Sequence, residues 1–255
     1  MTVGLLNINT LPICFTVSKN SDEHNYEYMS VLLVESLKIT NPALNRVCMI
    51  APGLPKGLVG YLEKNCEVIS LNHAPSGHDD YYMRPLGIVK LWEHLGSDFL
   101  YTDIDVVFLK GLDYEVTRDS ILAELMPDFI AKEEMVDTNT VFSWLTHVTN
   151  ENIKVFDMEF KSQHVKDNWH WYFTKNVERI GIDVNQFTQG AIYPVRPLTN
   201  ETQAFHYDNF INRGYYYKLK NHPLFNQIDR FRKLWFTDQY LPEYWETRYN
   251  VRQAI

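Results

Sequence analysis

The sequence predicts an α/β protein in which a mainly parallel sheet is flanked by helices. Short apolar runs typical of buried strands alternate with longer segments whose apolar residues recur at helical spacing. This alternation favours strand–helix–strand units with parallel strands. A second observation is the apolar run at residues 99–109, which two aspartates interrupt. Such a run is typical of a central parallel strand with a ligand site at its end.

Length, composition and charge limit the size of the fold and the kinds of partner. The chain has 255 residues, of which 45% are hydrophobic and 14% aromatic, enough for the core of one large domain. We therefore expect residues 1–255 to form a single domain. The net charge is −8 and the pI is near 5.6. Nucleic acid is not expected as a partner, because a protein with this net charge would need a strongly local basic patch to bind the phosphate backbone.

The cysteines and the apolar runs bear on the compartment. Cys14, Cys48 and Cys66 are odd in number, and two of them lie inside apolar runs, which favours buried reduced thiols over a disulfide framework. No apolar run approaches the roughly 18 residues of a membrane span, and the N-terminus lacks a signal-peptide pattern. We expect a soluble, cytoplasmic protein without a membrane span, of bacterial or viral type or a domain of a longer chain.

The regular strand and helix pattern occupies the first half of the chain. Strands are predicted at residues 12–17, 46–50, 66–71 and 99–109, and helices at residues 26–40, 58–64 and 85–95. Polar loops at residues 18–25 and 72–81 separate some of these elements, and Gly96 is predicted to end the third helix. The second half is less regular. There we expect strands at residues 128–131, 140–145 and 189–195 and a helix at residues 169–180.

The two aspartates of the apolar run, Asp103 and Asp105, predict a metal site. Burying two carboxylates among Leu, Val and Phe is costly unless a positive charge pairs with them, and a hard divalent cation suits a pair of oxygen ligands. Both side chains point to the same side of a strand, so they reach one ion only if the chain bends or ends there. The alternative is a charged edge strand facing water, and the apolar residues after Asp105 argue against it.

The residues around this pair resemble a known family of enzymes. The segment Asp98-Phe-Leu-Tyr-Thr-Asp-Ile-Asp-Val-Val-Phe-Leu-Lys-Gly-Leu112 is similar to the metal-binding strand of glycosyltransferases with the GT-A fold. The similarity is strongest to retaining enzymes of the glycogenin-like and plant nucleotide-diphospho-sugar transferase groups. It implies the GT-A fold, a Rossmann-like arrangement, with residues 1–112 as the nucleotide-sugar-binding half and residues 113–255 as the acceptor-binding half.

The same resemblance implies roles for individual residues. The DxD motif Asp103, Ile104 and Asp105 binds the donor, and the two aspartates hold the metal together with a later histidine, His222. His206 competes with His222 for that role. The further residues implied for donor binding are Arg84 and Lys90 for the diphosphate, Phe15, Thr16 and Val17 for the nucleoside, and Asn139 for the sugar. Asp183 and Gln189 are implied near the anomeric carbon as catalytic residues.

The resemblance also implies an activity. It is the transfer of a hexose or pentose, with retention, from a nucleoside diphosphate sugar, in particular a UDP-sugar, to an acceptor hydroxyl. The implied cofactor is Mn²⁺ or Mg²⁺, and the implied acceptor is a carbohydrate or a glycoprotein. Aromatic side chains of the second half offer flat faces for stacking on sugar rings; they are Trp144, Trp169, Trp171, Tyr172, Tyr193, Tyr207 and the run Tyr215, Tyr216 and Tyr217.

Three other functions stay open from the residues. A phosphatase of the haloacid dehalogenase type could use Asp103 and Asp105 as nucleophile and general acid, although that fold carries the motif on its first strand. A nucleotidyltransferase making nucleotide-sugars would be expected to have a glycine-rich loop after the first strand, and residues 18–25 contain no glycine. A non-catalytic carbohydrate-binding protein would have no need of a buried carboxylate pair.

Overall fold

The structure is a computed structural model that describes only part of the chain. The described residues are 6–19, 26–72, 83–108, 110–112, 115–116, 120–125, 141–142, 145–161, 183–186, 192–193 and 204–206. The described helices are α1 (Tyr26–Thr40), α2 (Lys56–Asn65), α3 (Met83–Leu95) and α4 (Ile153–Lys161). A short 3-10 helix covers Ile8–Thr10.

The strands are short and most lie in the first half of the chain. The early ones are β1 (Leu6–Asn7), β2 (Ile13–Val17), β3 (Arg46–Ile50), β4 (Glu67–Ser70), β5 (Phe99–Thr102), β6 (Val106–Phe108) and β7 (Glu115–Val116). The later ones are β8 (Ser120–Leu125), β9 (Val141–Phe142), β10 (Leu145–Val148), β11 (Asp183–Gln186), β12 (Ile192–Tyr193) and β13 (Ala204–His206).

The central sheet has five strands in the order β10-β5-β2-β3-β4. Strands β2, β3, β4 and β5 are parallel, and β10 runs antiparallel to β5. The chain winds outward from β2 through β3 to β4 and then returns to the other side of β2 with β5. The strand order therefore reverses between β2 and β5, and ligands of doubly wound sheets bind in the crevice at the carboxyl ends of such strands.

Helices cover both faces of this sheet. On one face, Phe15 of β2 is buried in a core with Leu33 of α1 and Leu62 of α2. On the other face, Cys14 of β2 is buried in a second core that includes Leu91 of α3 and Phe156 of α4. Neighbouring residues of β2 point to opposite faces, and both faces are apolar because both are covered. The prediction of a mainly parallel sheet flanked by helices is confirmed.

The remaining described strands pair outside the central sheet. Strand β13 lies between β12 and β6, strand β8 lies between β11 and β9, and β1 pairs with β7. Strand β6 is the one that bears on the candidate site, because it begins at Val106, directly after the two aspartates.

The prediction of one continuous strand at residues 99–109 is wrong. Strand β5 ends at Thr102, the chain turns at Asp103, Ile104 and Asp105, and β6 enters a different sheet, where it pairs with β13. The cost of burying two carboxylates accounts for the break. All residues of β5 and β6 are buried, whereas both aspartates are partly exposed on the turn.

Most predicted elements of the first half are confirmed. The predicted bounds of α1 and β3 agree with the structure, those of β2, α2, β4 and α3 differ by at most two residues at either end, and Gly96 ends α3 with a positive φ of 61°. All three cysteines are free thiols, and Cys14 and Cys48 are buried. Among the helices of the described ranges, none combines the length and hydropathy that crossing a bilayer requires.

Predictions for the second half fare less well. The strand predicted at residues 140–145 is two short strands, β9 and β10, and that at residues 189–195 has only β12 among its described residues. The predicted strand at residues 128–131 and the helix at residues 169–180 lie outside the described residues. Helix α4 and strand β8 were not expected. The division at residue 112 into donor and acceptor halves stays a prediction.

Candidate functional site

The candidate site lies where the strand order of the central sheet reverses. Strand β2 pairs with β3 along its whole length, from Ile13 to Val17. Its pairing with β5 covers only Ile13 and Cys14. The ladder between β2 and β5 thus ends three residues before the carboxyl end of β2 and one residue before that of β5. The acidic turn after β5 and the residues that follow Val17 border this interval.

Ile104, between the two aspartates, anchors the acidic turn, which consists of Asp103, Ile104 and Asp105. The side chain of Ile104 packs against the apolar core on the α1 face, while Asp103 and Asp105 stay partly exposed. The hydroxyl of Thr102 donates to the backbone carbonyl of Asp103, at 3.3 Å. The chain therefore bends at the point where a bend is needed for both carboxylates to serve one ion.

Arg84 contacts the first of these carboxylates. It belongs to the first turn of α3, and its Nε lies 3.2 Å from Oδ1 of Asp103. The side chains of Arg84 and Asp103 are only 10% and 16% exposed, so water screens this ion pair less than a surface pair. Helix α3 thus brings a guanidinium to the acidic turn, and the role of Arg84 at the diphosphate stays a prediction.

Two further side chains hold the guanidinium of Arg84. Its Cζ lies 5.8 Å from the ring centroid of Tyr101, within cation–π range, and its Nη2 donates to Oγ1 of Thr146 at 3.5 Å. Tyr101 on β5 and Thr146 on β10 are direct partners in the antiparallel ladder, so they share one face of the sheet. Arg84 is therefore positioned by the two strands β5 and β10.

The Tyr101 ring stays neutral under the arginine. Burial raises the pKa of Tyr101 well above its ordinary value of 10.0, the charge of Asp103 adds to the rise and that of Arg84 opposes it. The phenol is therefore protonated at neutral pH, and Asp103 has no competing phenolate beside Arg84. Thr16 faces the same side of the sheet as Tyr101, next to helix α3.

The described donors fit a divalent cation in part. Asp103 and Asp105 supply carboxylate oxygens, the ligands that Mg²⁺ and Mn²⁺ prefer, and such ions take their remaining ligands from water and phosphate oxygens. Within the described ranges, no group of three or more His, Cys, Asp or Glu side chains could hold a metal. The predicted third ligand, His222, lies outside the described residues.

The competing candidate, His206, has a described backbone position. It ends strand β13 and is the ladder partner of Val106, the residue that follows Asp105. The strand register therefore brings the backbone of His206 next to the acidic turn, although the two residues are far apart in the sequence. His206 and His222 both stay candidates for the third ligand.

The residues predicted to contact the nucleoside lie on β2. The side chains of Phe15 and Val17 are wholly buried in the α1 face of the core, which leaves their backbone for any contact with a ligand. Thr16 is 5% exposed and faces α3. The nucleoside-binding role of these residues stays a prediction, and it is restricted to the backbone for Phe15 and Val17.

Lys90 does not accompany Arg84 to the acidic turn. Its Nζ pairs with the carboxylate of Glu93, one turn further along α3, and both side chains are substantially exposed. At about 100° per residue, Lys90 lies on a different side of the helix from Arg84. Its role at the diphosphate stays a prediction that no described contact supports.

The remaining predicted site residues fall in the second half of the chain. Asn139 and Gln189 lie outside the described residues, and Asp183 is described only as the first backbone position of β11, which pairs with β8. Their roles at the donor sugar and the anomeric carbon stay predictions.

Sequence reasoning missed two polar residues, Ser36 in α1 and Asn41 directly after it, that hold the chain after the acidic turn. Ser36 Oγ accepts the N–H of Phe108 at 3.1 Å and donates to the Leu33 carbonyl at 2.8 Å. Asn41 Oδ1 accepts the N–H of Leu112 at 2.7 Å. Both side chains are buried. The signal in the sequence was a serine among the apolar residues of the helix and an asparagine directly before Pro42.

Thr146 and Tyr101 were missed as partners of Arg84. The available signal was the polar pair Thr146-His147 inside a buried run, and the alternation that places Tyr101 on the same side of the chain as Asp103. Neither signal identifies Arg84 as the partner, because the contact depends on the pairing of β5 with β10.

Comparisons with known proteins support the fold. No protein-family profile matches the sequence, and no curated protein matches it significantly. Among solved structures, the chain is similar to the galactosyltransferase LgtC, whose crystal structure was determined in complex with donor and acceptor sugar analogues. The TM-score is 0.58 at 12% sequence identity, over 96% of this chain and 100% of that chain. Likeness at this identity shows the fold alone, and the chain therefore has the GT-A glycosyltransferase fold.

Proposed function

We propose that this protein is a metal-dependent glycosyltransferase that moves a sugar from a nucleoside diphosphate donor, UDP-sugar in particular, to a hydroxyl of a glycan or glycoprotein. One observation carries the proposal: the acidic turn of Asp103 and Asp105 lies at the strand-order reversal of a GT-A fold and faces Arg84. Two carboxylates beside the largely buried guanidinium of Arg84, at the crevice where such folds bind ligands, suit a diphosphate bound to a metal ion.

The reaction exchanges one bond at the anomeric carbon for another. The bond from that carbon to the diphosphate oxygen breaks, a bond to the acceptor oxygen forms, and the acceptor proton leaves. A bound Mn²⁺ or Mg²⁺ supplies Lewis-acid stabilisation of the departing diphosphate. Retention at the anomeric carbon is part of the proposal because the resembling families retain.

The residues of this chain divide the remaining tasks. Asp103 and Asp105 hold the cation, with His222 or His206 as third ligand. Arg84 adds positive charge where the diphosphate gains negative charge, the kind of preorganised electrostatics that lowers such barriers. Phe15, Thr16, Val17, Lys90 and Asn139 complete the donor site, and Asp183 and Gln189 act near the anomeric carbon.

The phosphatase alternative finds less support in the topology. That function needs the acidic motif at the end of the first strand of the sheet. Here the first strand of the central sheet is β2, which ends in Phe15, Thr16 and Val17, and the aspartates follow β5. In addition, the acidic turn leads from β5 into strand β6. In the phosphatase fold we would expect a helix after the loop that carries the nucleophile.

Donor turnover tests the proposal. Release of nucleoside diphosphate is measured with a panel of UDP- and GDP-linked sugars, with Mn²⁺ and then with excess chelator. We expect slow hydrolysis of one UDP-sugar that requires Mn²⁺ and falls by a factor of about 100 or more in Asp103→Asn and Asp105→Asn, as expected for loss of a main electrostatic contribution. Glu63→Gln, which alters an exposed carboxylate on α2, is the matched control and should keep wild-type turnover.

Two results would argue against the proposal. One is turnover that chelator leaves unchanged. The other is equal loss of activity in Glu63→Gln and the aspartate variants, which would indicate a general effect of charge. Hydrolysis of a phosphate monoester that requires Asp103 would instead support the phosphatase.

A further inference from the structure

Arg84 pairs with one carboxylate oxygen of Asp103, the first of the two predicted metal ligands. Its Nε lies 3.2 Å from Oδ1 of Asp103, and the two side chains are largely withdrawn from solvent. An opposite charge this close favours the ionised carboxylate. Asp103 is therefore already neutralised by a group of the protein, in contrast to a metal site whose carboxylates have no internal counter-ion.

The guanidinium is well fixed in this position. Its Cζ lies over the ring of Tyr101, and Thr146 accepts from Nη2, so contacts from β5 and β10 restrict its movement. The side chain projects from the first turn of α3, the helix that packs directly on β2. Because a guanidinium is planar and preorganised, an arginine loses little entropy for each hydrogen bond that it forms.

A divalent cation bound to Asp103 would lie within a few ångströms of this guanidinium. Two like charges at that separation repel each other strongly when water is largely excluded. A diphosphate changes the balance, because its oxygens can bridge the metal and accept the guanidinium N–H groups. The same arginine therefore opposes the metal alone and supports the metal with its diphosphate.

We infer that Arg84 is the internal counter-ion of Asp103 and couples the two ligands of the site, so that divalent metal and nucleoside diphosphate bind as a unit. This inference rests on the proposed function and adds to it a coupling between the two ligands. Arg84 acts on the metal through Asp103 and contacts the diphosphate when metal and nucleotide bind together.

Metal binding without nucleotide tests the inference directly. Free Mn²⁺ is followed by electron paramagnetic resonance as protein is titrated, first alone and then with saturating UDP. In Arg84→Gln we expect Mn²⁺ alone to bind about tenfold more tightly than in wild type, a change of about 1.4 kcal/mol. The factor by which UDP tightens Mn²⁺ binding should fall at least as much. By linkage, the factor by which Mn²⁺ tightens UDP binding must fall equally.

Two further variants control for folding and for net charge. Arg84→Met keeps an apolar stem on the Tyr101 ring, where a thioether packs well, and should tighten Mn²⁺ binding in the same direction if Arg84→Gln folds poorly. Lys64→Gln removes an equal charge from an exposed position in the last turn of α2, near the amino end of β4. It should leave the affinity for Mn²⁺ unchanged.

The failures are distinguishable. If Mn²⁺ and UDP bind wild type together but neither Arg84 variant tightens Mn²⁺ alone, the counter-ion role is wrong and the proposed function stands. If both variants weaken Mn²⁺ alone, Arg84 only orients Asp103, and the coupling is likewise wrong. If wild type binds no Mn²⁺ even with UDP, the proposed function fails and the inference fails with it.

Discussion

A Cβ atom on Gly87 would lie 2.0 Å from the hydroxyl oxygen of Thr16, so helix α3 meets strand β2 at a point where only glycine fits. Rotation of the Thr16 side chain gives no full relief, because its Cβ stays in place and would lie 3.1 Å from the added atom. This close approach sets the height of α3 above the sheet, and Arg84 reaches Asp103 from one turn earlier on that helix.

Substitution of Gly87 by alanine should therefore destabilise the protein. Alanine favours the helix, but the contact with Thr16 forces a shift in a packed interface, which costs about 1 to 3 kcal/mol in cores. We expect the free energy of unfolding in urea to fall by that amount. The double variant Gly87→Ala with Thr16→Ala should recover part of the loss, because neighbouring substitutions are not additive.

The matched control for this prediction is Gly60→Ala. Gly60 lies inside α2, and a Cβ there would meet nothing within 4 Å. The substitution should stabilise the protein by about 0.5 to 1 kcal/mol through helix propensity alone. Equal effects at Gly60 and Gly87 would show that α3 and β2 are not in close contact.

Ser36→Ala should loosen the segment that follows the acidic turn. The substitution leaves the buried N–H of Phe108 without this acceptor, which costs about 1 to 3 kcal/mol. Because Phe108 ends strand β6, directly after the turn, we also expect weaker binding of Mn²⁺ with UDP, measured by calorimetry. Ser30→Ala is a suitable control, since that buried hydroxyl bonds only locally to the Glu27 carbonyl. A Ser36 variant with normal stability and normal affinity would contradict the role of this contact.

Asn152 joins α4 to β10, and its removal should be costly. Its side chain accepts the N–H of Thr149 at 2.8 Å and donates to the carbonyl of His147 at 2.8 Å, while its own N–H donates to Oγ1 of Thr149. Asn152→Ala leaves two buried backbone groups without these partners, so we expect a loss of about 2 to 4 kcal/mol in urea unfolding. Asn150→Ala, at an exposed position, should change stability by less than about 0.5 kcal/mol.

Stability should decline in alkaline solution because of the buried thiols. Burial raises the pKa of Cys66 from 9.0 to about 12, with Arg46 and Lys38 opposing the rise, and burial raises the pKa of Cys48 and of Cys14 well above 9.0. Above pH 9 the unfolded chain releases protons that the folded chain keeps. This release lowers the free energy of the unfolded state relative to the folded state. The contribution to stability is complete below pH 9 and is lost as the pH rises toward 12.

The expected slope provides the measurement for this prediction. Each retained proton lowers the free energy of unfolding by about 1.4 kcal/mol per pH unit. Unfolding in urea between pH 8 and 10.5 should show this decline, and Cys66→Ala should reduce the slope by one proton. A slope that Cys66→Ala leaves unchanged would mean that the thiol is not protected by the fold.

Local patterns were sufficient to predict much of the first half. Helix α1 ends at Thr40, before Asn41 and Pro42, and β3 ends at the turn that contains Gly53, so the signals for stopping coincide with the elements. The apolar run around Asp103 and Asp105 also predicted that these residues lie near the end of a buried strand. These features depend on neighbours in the sequence, which a sequence shows directly.

The contacts that build the candidate site could not be predicted in this way. The partners of Arg84 include Asp103, Tyr101 and Thr146. Thr146 joins the other two because β10 pairs antiparallel with β5, and Arg84 reaches all three from α3. The register that sets His206 against Val106 likewise joins distant segments. The break after Thr102 was missed because the apolar residues continue on both sides of it. The sequence does not show that the chain turns there and exposes the two aspartates.

The donor site proposed at the acidic turn is best tested by calorimetric titration of the protein with UDP, with and without Mn²⁺. We expect binding that requires Mn²⁺ and is lost in both Asp103→Asn and Asp105→Asn, while Glu63→Gln binds normally. Binding of UDP that is independent of metal and unchanged in both aspartate variants would contradict the donor site proposed at the acidic turn. Absence of binding to the folded wild-type protein at any Mn²⁺ concentration would contradict it equally.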